Sequence, residues 1–188
     1  MVQLRHEITA DRVVADRPVL DTTQADLMAL LNTNSYQKGG WTLHMLRTLV
    51  GDSAFFGGVR DYWAAHRHGT ALTDDLMAAV ERRAGTSLGW FFDQWLRRPG
   101  FAVLTTSWHY DAVARGVVLE VEQGNRFAPY RLPLAIDVTD ADGRTSRVHV
   151  EIPAARFSRL ALPLALGSAP RTLVFDPDVQ LLAELRTR

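Results

Sequence analysis

At Pro99-Gly100 the hydrophobic pattern changes period, and with it the kind of structure the chain can form. Upstream, apolar residues recur at helical spacing. Thr22 or Thr23 can cap a helix running through Leu31, and Asn32–Ser35 is a polar break rich in cap formers. From Tyr36 to about Val50, the set Trp41, Leu43, Met45, Leu46 and Leu49 predicts a largely buried helix. Gly51-Asp52-Ser53 ends that helix and caps the next, which carries Phe55, Phe56, Val59, Tyr62 and Trp63 to about His66. Thr73 caps another, with Asp74 and Asp75 at its positive dipole end and Gly85 just past its last turn. Ser87 caps a final helix, 88–96, closed by Arg97-Arg98-Pro99-Gly100. Downstream the period is two. Leu104, Thr106, Trp108 and Tyr110 alternate with Val103, Thr105, Ser107 and His109, and the runs 117–122, 131–139 and 148–152 behave alike. Asp140-Ala141-Asp142-Gly143 is a hairpin signal, and 157–164 and 171–175 complete six or seven strands at sandwich spacing. The expected fold class is therefore α+β by two domains, an all-α lobe over residues 1–99 and an all-β antiparallel sandwich over residues 100–188.

Composition narrows the function. The chain has 188 residues, with 21 basic and 21 acidic side chains. The balance holds locally: residues 1–100 carry 11 of each, and residues 101–188 carry 10 of each. Neither half offers the basic footprint that backbone-driven nucleic-acid binding needs. There is no cysteine, which excludes disulfide scaffolds, thiol catalysis and cysteine zinc sites. The first residues, MVQLRHEITADR, carry charges and no apolar core, unlike a signal peptide. No run is long and apolar enough to span a bilayer. A soluble chain is expected, with the compartment open: cytoplasmic, or exported as part of a longer precursor.

Chemistry-bearing motifs are sparse. His6-Glu7-Ile8-Thr9-Ala10 begins like the H-E-x-x-H zinc helix, but Ala10 stands where the second ligand belongs. His66 and His68 fall on different faces of a helix end, and His109 and His149 lie on the polar faces of strands. With His44 these make six histidines and no three-ligand set, so no metal ligand is assigned. Gly39-Gly40 and Gly57-Gly58 lack phosphate-loop spacing. Two adjacent glycines cost a helix about 2 kcal/mol relative to alanine, so such pairs mark close packing or a helix wall beside a cavity. Lys38 is the one lysine among 21 basic residues.

The segment around that lysine, Ser35-Tyr36-Gln37-Lys38-Gly39-Gly40-Trp41, resembles the Tyr-x-Lys-Gly helix of the aminopeptidase N family, the zinc-dependent gluzincin metallopeptidases. The similarity continues in order through Gly51-Asp52, Tyr62 and His66, Thr73-Asp74-Asp75-Leu76, Glu81 to Gly85, and Leu88, Phe91, Phe92, Gln94, Trp95 and Pro99-Gly100. In the β half, Gln123, Pro129-Tyr130, Leu132-Pro133-Leu134 and Asp176-Pro177 are similar to the sandwich that follows the catalytic domain in that family. The resemblance spans about residues 15 to 185.

It implies a catalytic role for Tyr36. In the family, the matching phenol donates a hydrogen bond to the oxyanion formed when zinc-activated water attacks an N-terminal peptide bond. A phenol, ordinarily protonated at pH 7, suits that task. The resemblance also implies what is missing, since the zinc-binding H-E-x-x-H helix, its third glutamate ligand and the G-x-M-E-N-type substrate motif do not occur. The chain is thus expected to be the C-terminal part of such an enzyme, partnered by a zinc-binding lobe and acting on peptides only when intact. Alone it is expected to be inactive and free of zinc. The alternative is a non-catalytic interaction module that retains the peptidase-like fold.

Overall fold

The structure, a computed structural model, describes all residues from Met1 to Arg188. The chain divides into two compact units, one of Ala10–Gly100 and one of Met1–Thr9 with Phe101–Arg188. The division falls where the hydrophobic period changes. The first nine residues, read from sequence as part of the helical lobe, instead belong with the strands.

In the helical unit, the short helix α2 (Arg12–Asp16) starts at Asp11, whose carboxylate accepts the Val13 N–H. The helix expected from Thr22 or Thr23 to Leu31 shrinks to a single 3₁₀ turn, Leu27–Leu30, capped by Asp26. Leu27 and Met28 are 74% and 70% exposed there, so no burial sustains further turns. Next comes a π turn, Asn34–Lys38, that runs directly into α3 (Gly39–His66). Gly51, at φ 80°, kinks α3 at the position where two helices were expected to meet. Arg47 grips Asp52 across that kink with two bonds of 2.7 and 2.8 Å.

Helix α4 (Thr73–Ala84) packs against the second half of α3. Its N-terminus is closed by the Asp75 carboxylate, which accepts the Leu72 N–H, rather than by the expected Thr73 cap. Gly85 ends it in the left-handed conformation. Glu81 then accepts the Leu88 N–H at 2.6 Å, starting α5 (Gly89–Phe92), which continues into a second π turn, Asp93–Arg97. The Gly100 N–H returns to the Val14 carbonyl at 2.7 Å, closing the unit on α2. Val14, Trp41, Leu46, Val80, Phe92 and Trp95 are buried in this unit.

The β unit holds helix α1 (Val2–Ala10) and seven strands: β1 (Ala102–Asp111), β2 (Gly116–Gln123), β3 (Leu132–Thr139), β4 (Thr145–Ile152), β5 (Phe157–Ala161), β6 (Thr172–Phe175) and β7 (Ala183–Thr187). They form a four-stranded sheet, ordered β5-β2-β1-β7, and a three-stranded sheet, ordered β4-β3-β6. Alternate residues are buried, among them Leu104, Leu119, Leu132, Leu134, Ile136 and Ile152, as a sandwich requires. One pairing departs from the expected antiparallel pattern. β7, which follows β6 of the other sheet, runs parallel to β1, with Ala102 opposite Ala183 and Thr106 opposite Thr187. Buried Gln123 holds the end of β2 to the approach of β3, donating to the Tyr130 and Pro153 carbonyls and accepting the Tyr130 N–H at 2.8 Å.

Candidate functional site

Tyr36 sits at the centre of the first π turn and is 62% exposed. The residues two places either side of it are the opposite: Asn34 is 2% exposed and Lys38 is fully buried. Each is tied to main chain. The Asn34 amide donates to the Val13 carbonyl at 3.0 Å, to Arg17 at 2.9 Å and to Pro18 at 3.3 Å, so it satisfies the carbonyls at the end of α2. The Lys38 ammonium donates to the Arg98 carbonyl at 3.3 Å, just past the second π turn. Burial pushes the Lys38 pKa down from its ordinary 10.5 to about 8.

The turn itself is well bonded. The Gly39 N–H reaches the carbonyls of both Asn34 and Tyr36, and the Tyr36 N–H returns to the Asn32 carbonyl. A β-carbon at Gly39 would stand 3.4 Å from the Asn34 carbonyl, in ordinary contact. Thr33 adds a hydroxyl bond to Asp11, and Ser35 one to the Leu30 carbonyl. A π turn puts an extra residue into the helical ladder and is frequent at functional sites. Here that geometry leaves a phenol facing outward from a stiff, doubly anchored base.

The surface beside Tyr36 is open. Gly40, one turn on, is exposed, and a β-carbon there would meet nothing within 4 Å. Leu43 is half-exposed further along the helix, and Leu27, Met28 and Leu31 are exposed in the preceding 3₁₀ region.

The histidines do not converge. No three His, Asp or Glu side chains are grouped so as to hold a metal ion. His6 lies on α1 in the β unit, and Ala10 takes the place of a second ligand. His66 meets the Thr70 carbonyl at 3.3 Å, and His109 lies 3.4 Å from Arg159 on a sheet. His44 has a buried Nε2 without a partner. The residues present therefore do not fit a zinc centre.

The sequence marks Tyr36 by resemblance and Lys38 as the one lysine, and does not mark Asn34 as an anchor. The available signal was its place in the cap-forming run Asn32–Ser35. What no periodicity reveals is that the amide points back at carbonyls sixteen to twenty-one residues earlier.

The chain thus joins a helical unit, with an exposed tyrosine on an anchored turn, to a two-sheet β unit. The Peptidase family M1 domain matches residues 1–95, about half of the chain, and the chain belongs to that family. Aminopeptidase N of Streptomyces lividans is 29% identical over 189 aligned positions, covering 93% of this chain and 21% of that protein. Aminopeptidase N of Lactococcus lactis subsp. lactis is 36% identical over 70 residues, 37% of this chain and 8% of that one. A crystal structure of Legionella pneumophila aminopeptidase A in complex with aspartic acid shares the fold at a TM-score of 0.75 and 12% identity, covering 88% of this chain and 19% of that chain. The chain thus spans about a fifth of the length of such relatives.

Proposed function

We propose that this chain is the C-terminal part of a zinc-dependent aminopeptidase of the M1 family, which cleaves N-terminal peptide bonds when complete. In that reading Tyr36 is a catalytic residue. As water adds to the scissile carbonyl, negative charge collects on the carbonyl oxygen, and the Tyr36 hydroxyl donates a hydrogen bond to it. A donor fixed in advance stabilises that charge without reorganising at the moment of reaction. The observation that carries the reading is the contrast along one turn, with Tyr36 exposed between two buried, bonded residues. The open surface at Gly40 leaves room for a peptide beside the phenol.

Because the residues here do not fit a zinc centre, no step through the metal is assigned to them. Zinc, the groups that grip a substrate N-terminus and the lobe that carries them are proposed to lie outside these 188 residues. The exposed apolar side chains near Tyr36 would then face that lobe. The boundary between lobe and sandwich near residues 99 and 100 is retained for the family enzyme, while Met1–Thr9 are grouped with the strands.

The test has two arms. The purified chain is assayed for zinc and for hydrolysis of aminoacyl-coumarin substrates, with neither stoichiometric metal nor turnover expected. The same chain is then assayed joined to, or mixed with, an M1 zinc lobe. Activity should appear there and fall about 10² to 10³-fold in Tyr36→Phe, the usual loss for one oxyanion donor. Unimpaired turnover by Tyr36→Phe would remove the catalytic role and favour a non-catalytic interaction module.

A further inference from the structure

Lys38 joins the two π turns of the helical unit. It ends the first, Asn34–Lys38, and its ammonium bonds to the carbonyl of Arg98, the residue after the second, Asp93–Arg97. The chain carries twenty arginines and this single lysine, which is fully buried. Burying an ammonium is costly, and an apolar side chain of the same length would fill the space without that cost. No carboxylate pairs with it; its displaced pKa has burial as its sole cause. Packing alone does not account for a charge held in this way.

We propose that Lys38 is a positioning residue for Tyr36: its buried ammonium, bonded to the Arg98 carbonyl, fixes the C-terminal end of the turn that projects the phenol. The inference rests on the reading of Tyr36 given above and adds to it the device that sets the phenol's direction. Asn34 holds the other end of the turn through the carbonyls of Val13, Arg17 and Pro18. With both ends fixed, a side chain at the middle has a defined exit. With the Lys38 end released, Asn34 still ties the turn to α2, so the phenol is reoriented while the fold persists. Gly39 transmits the constraint, since its N–H bonds the Tyr36 carbonyl directly.

The charged groups of the surrounding segments have other engagements. Asp11 accepts from Thr33, Arg17 pairs with Asp21, Arg97 with Asp74, and Arg98 with Asp93. Arg12 and Asp16 of α2 are exposed. A titration felt by Tyr36 in the pH range of a displaced lysine is therefore assignable to Lys38.

The single lysine makes the test direct. The chain is labelled with ¹³C at lysine Cε and tyrosine Cζ, so the one lysine signal is Lys38 and the four tyrosine signals are sorted by the loss of one in Tyr36→Phe. The Lys38 signal should titrate with a midpoint of about 8. The Tyr36 signal should show a step at the same midpoint, absent from Tyr62, Tyr110 and Tyr130. In Lys38→Met the Tyr36 signal should be displaced and the step gone. In Lys38→Arg, cationic throughout, the step should also vanish while the Tyr36 signal stays near its wild-type position at low pH. The proposal is overturned if wild-type Tyr36 ignores the lysine titration, or if its step survives in either variant. Should Lys38→Met not fold, the wild-type and Lys38→Arg titrations decide alone. Coupling between these residues is read without turnover. An active Tyr36→Phe enzyme would thus defeat the catalytic reading while leaving the coupling intact, and the reverse result is equally distinguishable.

Discussion

Arg5 and Asp176, 171 positions apart, meet at 2.7 Å in the β unit. Asp176 is the hub of the approach to β7. Its carboxylate accepts the N–H groups of Gln180 and Leu181, and its backbone sits at φ 47°, a left-handed conformation uncommon outside glycine. Arg5 reaches the same carboxylate from α1 and also donates to the Leu181 carbonyl at 3.4 Å. Both side chains are largely shielded, at 16% and 3% exposure, so the pair is screened little by solvent. Arg5→Met should therefore cost about 1.5 to 3 kcal/mol, the range for a lost hydrogen bond to a charged group. Arg47→Met, at the solvent-screened pair with Asp52, should cost far less. Urea unfolding of both variants checks the contrast, and equal losses would contradict it.

Lys38 makes the stability of the helical unit pH-dependent in a direction opposite to that of a salt-bridged lysine. Burial lowers its pKa from 10.5 to about 8 in the folded state. Between those values the unfolded chain holds the proton and the folded chain has released it, so stability rises with pH. Stability is thus fullest above pH 10.5 and is lost as pH falls through about 8. The displacement corresponds to an upper limit of about 3 kcal/mol. Chemical denaturation at pH 7.5, 9 and 10 should show the wild type gaining on Lys38→Met at each step. Parallel curves for the two proteins would mean that the ammonium is hydrated in the folded state.

Sequence made the main boundary legible because the two kinds of secondary structure bury residues at different periods, and Pro99-Gly100 separates them cleanly. The kink at Gly51, the left-handed stop at Gly85 and six of the strands follow from local chemistry of the same sort. What stayed hidden depends on partners distant in sequence. Nothing local in Val2–Ala10 says that its arginine will meet Asp176, so its place with the strands was out of reach. The short β7 gains its strand form from pairing with β1. The segment before Leu31 has apolar residues at helical spacing but no surface to bury them against, so periodicity overstated it. At the candidate site the tyrosine was visible through resemblance alone. The anchoring by Asn34 and Lys38 needed the main-chain carbonyls of Val13, Arg17, Pro18 and Arg98 to be placed in space.

The glycine pair in the second half of α3 separates two kinds of need. A β-carbon at Gly58 would lie 2.8 Å from Val80 Cα, a backbone atom of α4 that cannot step aside. Gly58→Ala should destabilise by about 1 to 3 kcal/mol through overpacking. At Gly57 the nearest neighbour is the Arg83 side chain at 3.3 Å, which is flexible although it pairs with Asp61. Gly57→Ala should be close to neutral, with helix propensity offsetting a small shift of Arg83. Thermal unfolding of both variants discriminates. Equal losses would show that α3 and α4 are spaced more loosely than this contact requires.

Gly40 and Tyr36 bring stability and function into opposition on one surface. Gly40 is exposed with open space around its missing β-carbon, so Gly40→Ala should raise the stability of the chain by up to about 1 kcal/mol. Tyr36→Phe, at an exposed position, should change stability by less than about 0.5 kcal/mol. If this surface lines a peptide cleft once a zinc lobe is present, the two variants must behave differently there. Gly40→Ala narrows the space beside the phenol and should raise KM, whereas Tyr36→Phe withdraws a transition-state bond and should lower kcat and kcat/KM equally. The measurement pairs denaturation of the chain with kinetics of the lobe-complemented enzyme. A Gly40→Ala protein that is more stable and kinetically unchanged would show that substrate does not pass over this turn, and Tyr36 would then have to be reassigned to the surface that the lobe covers.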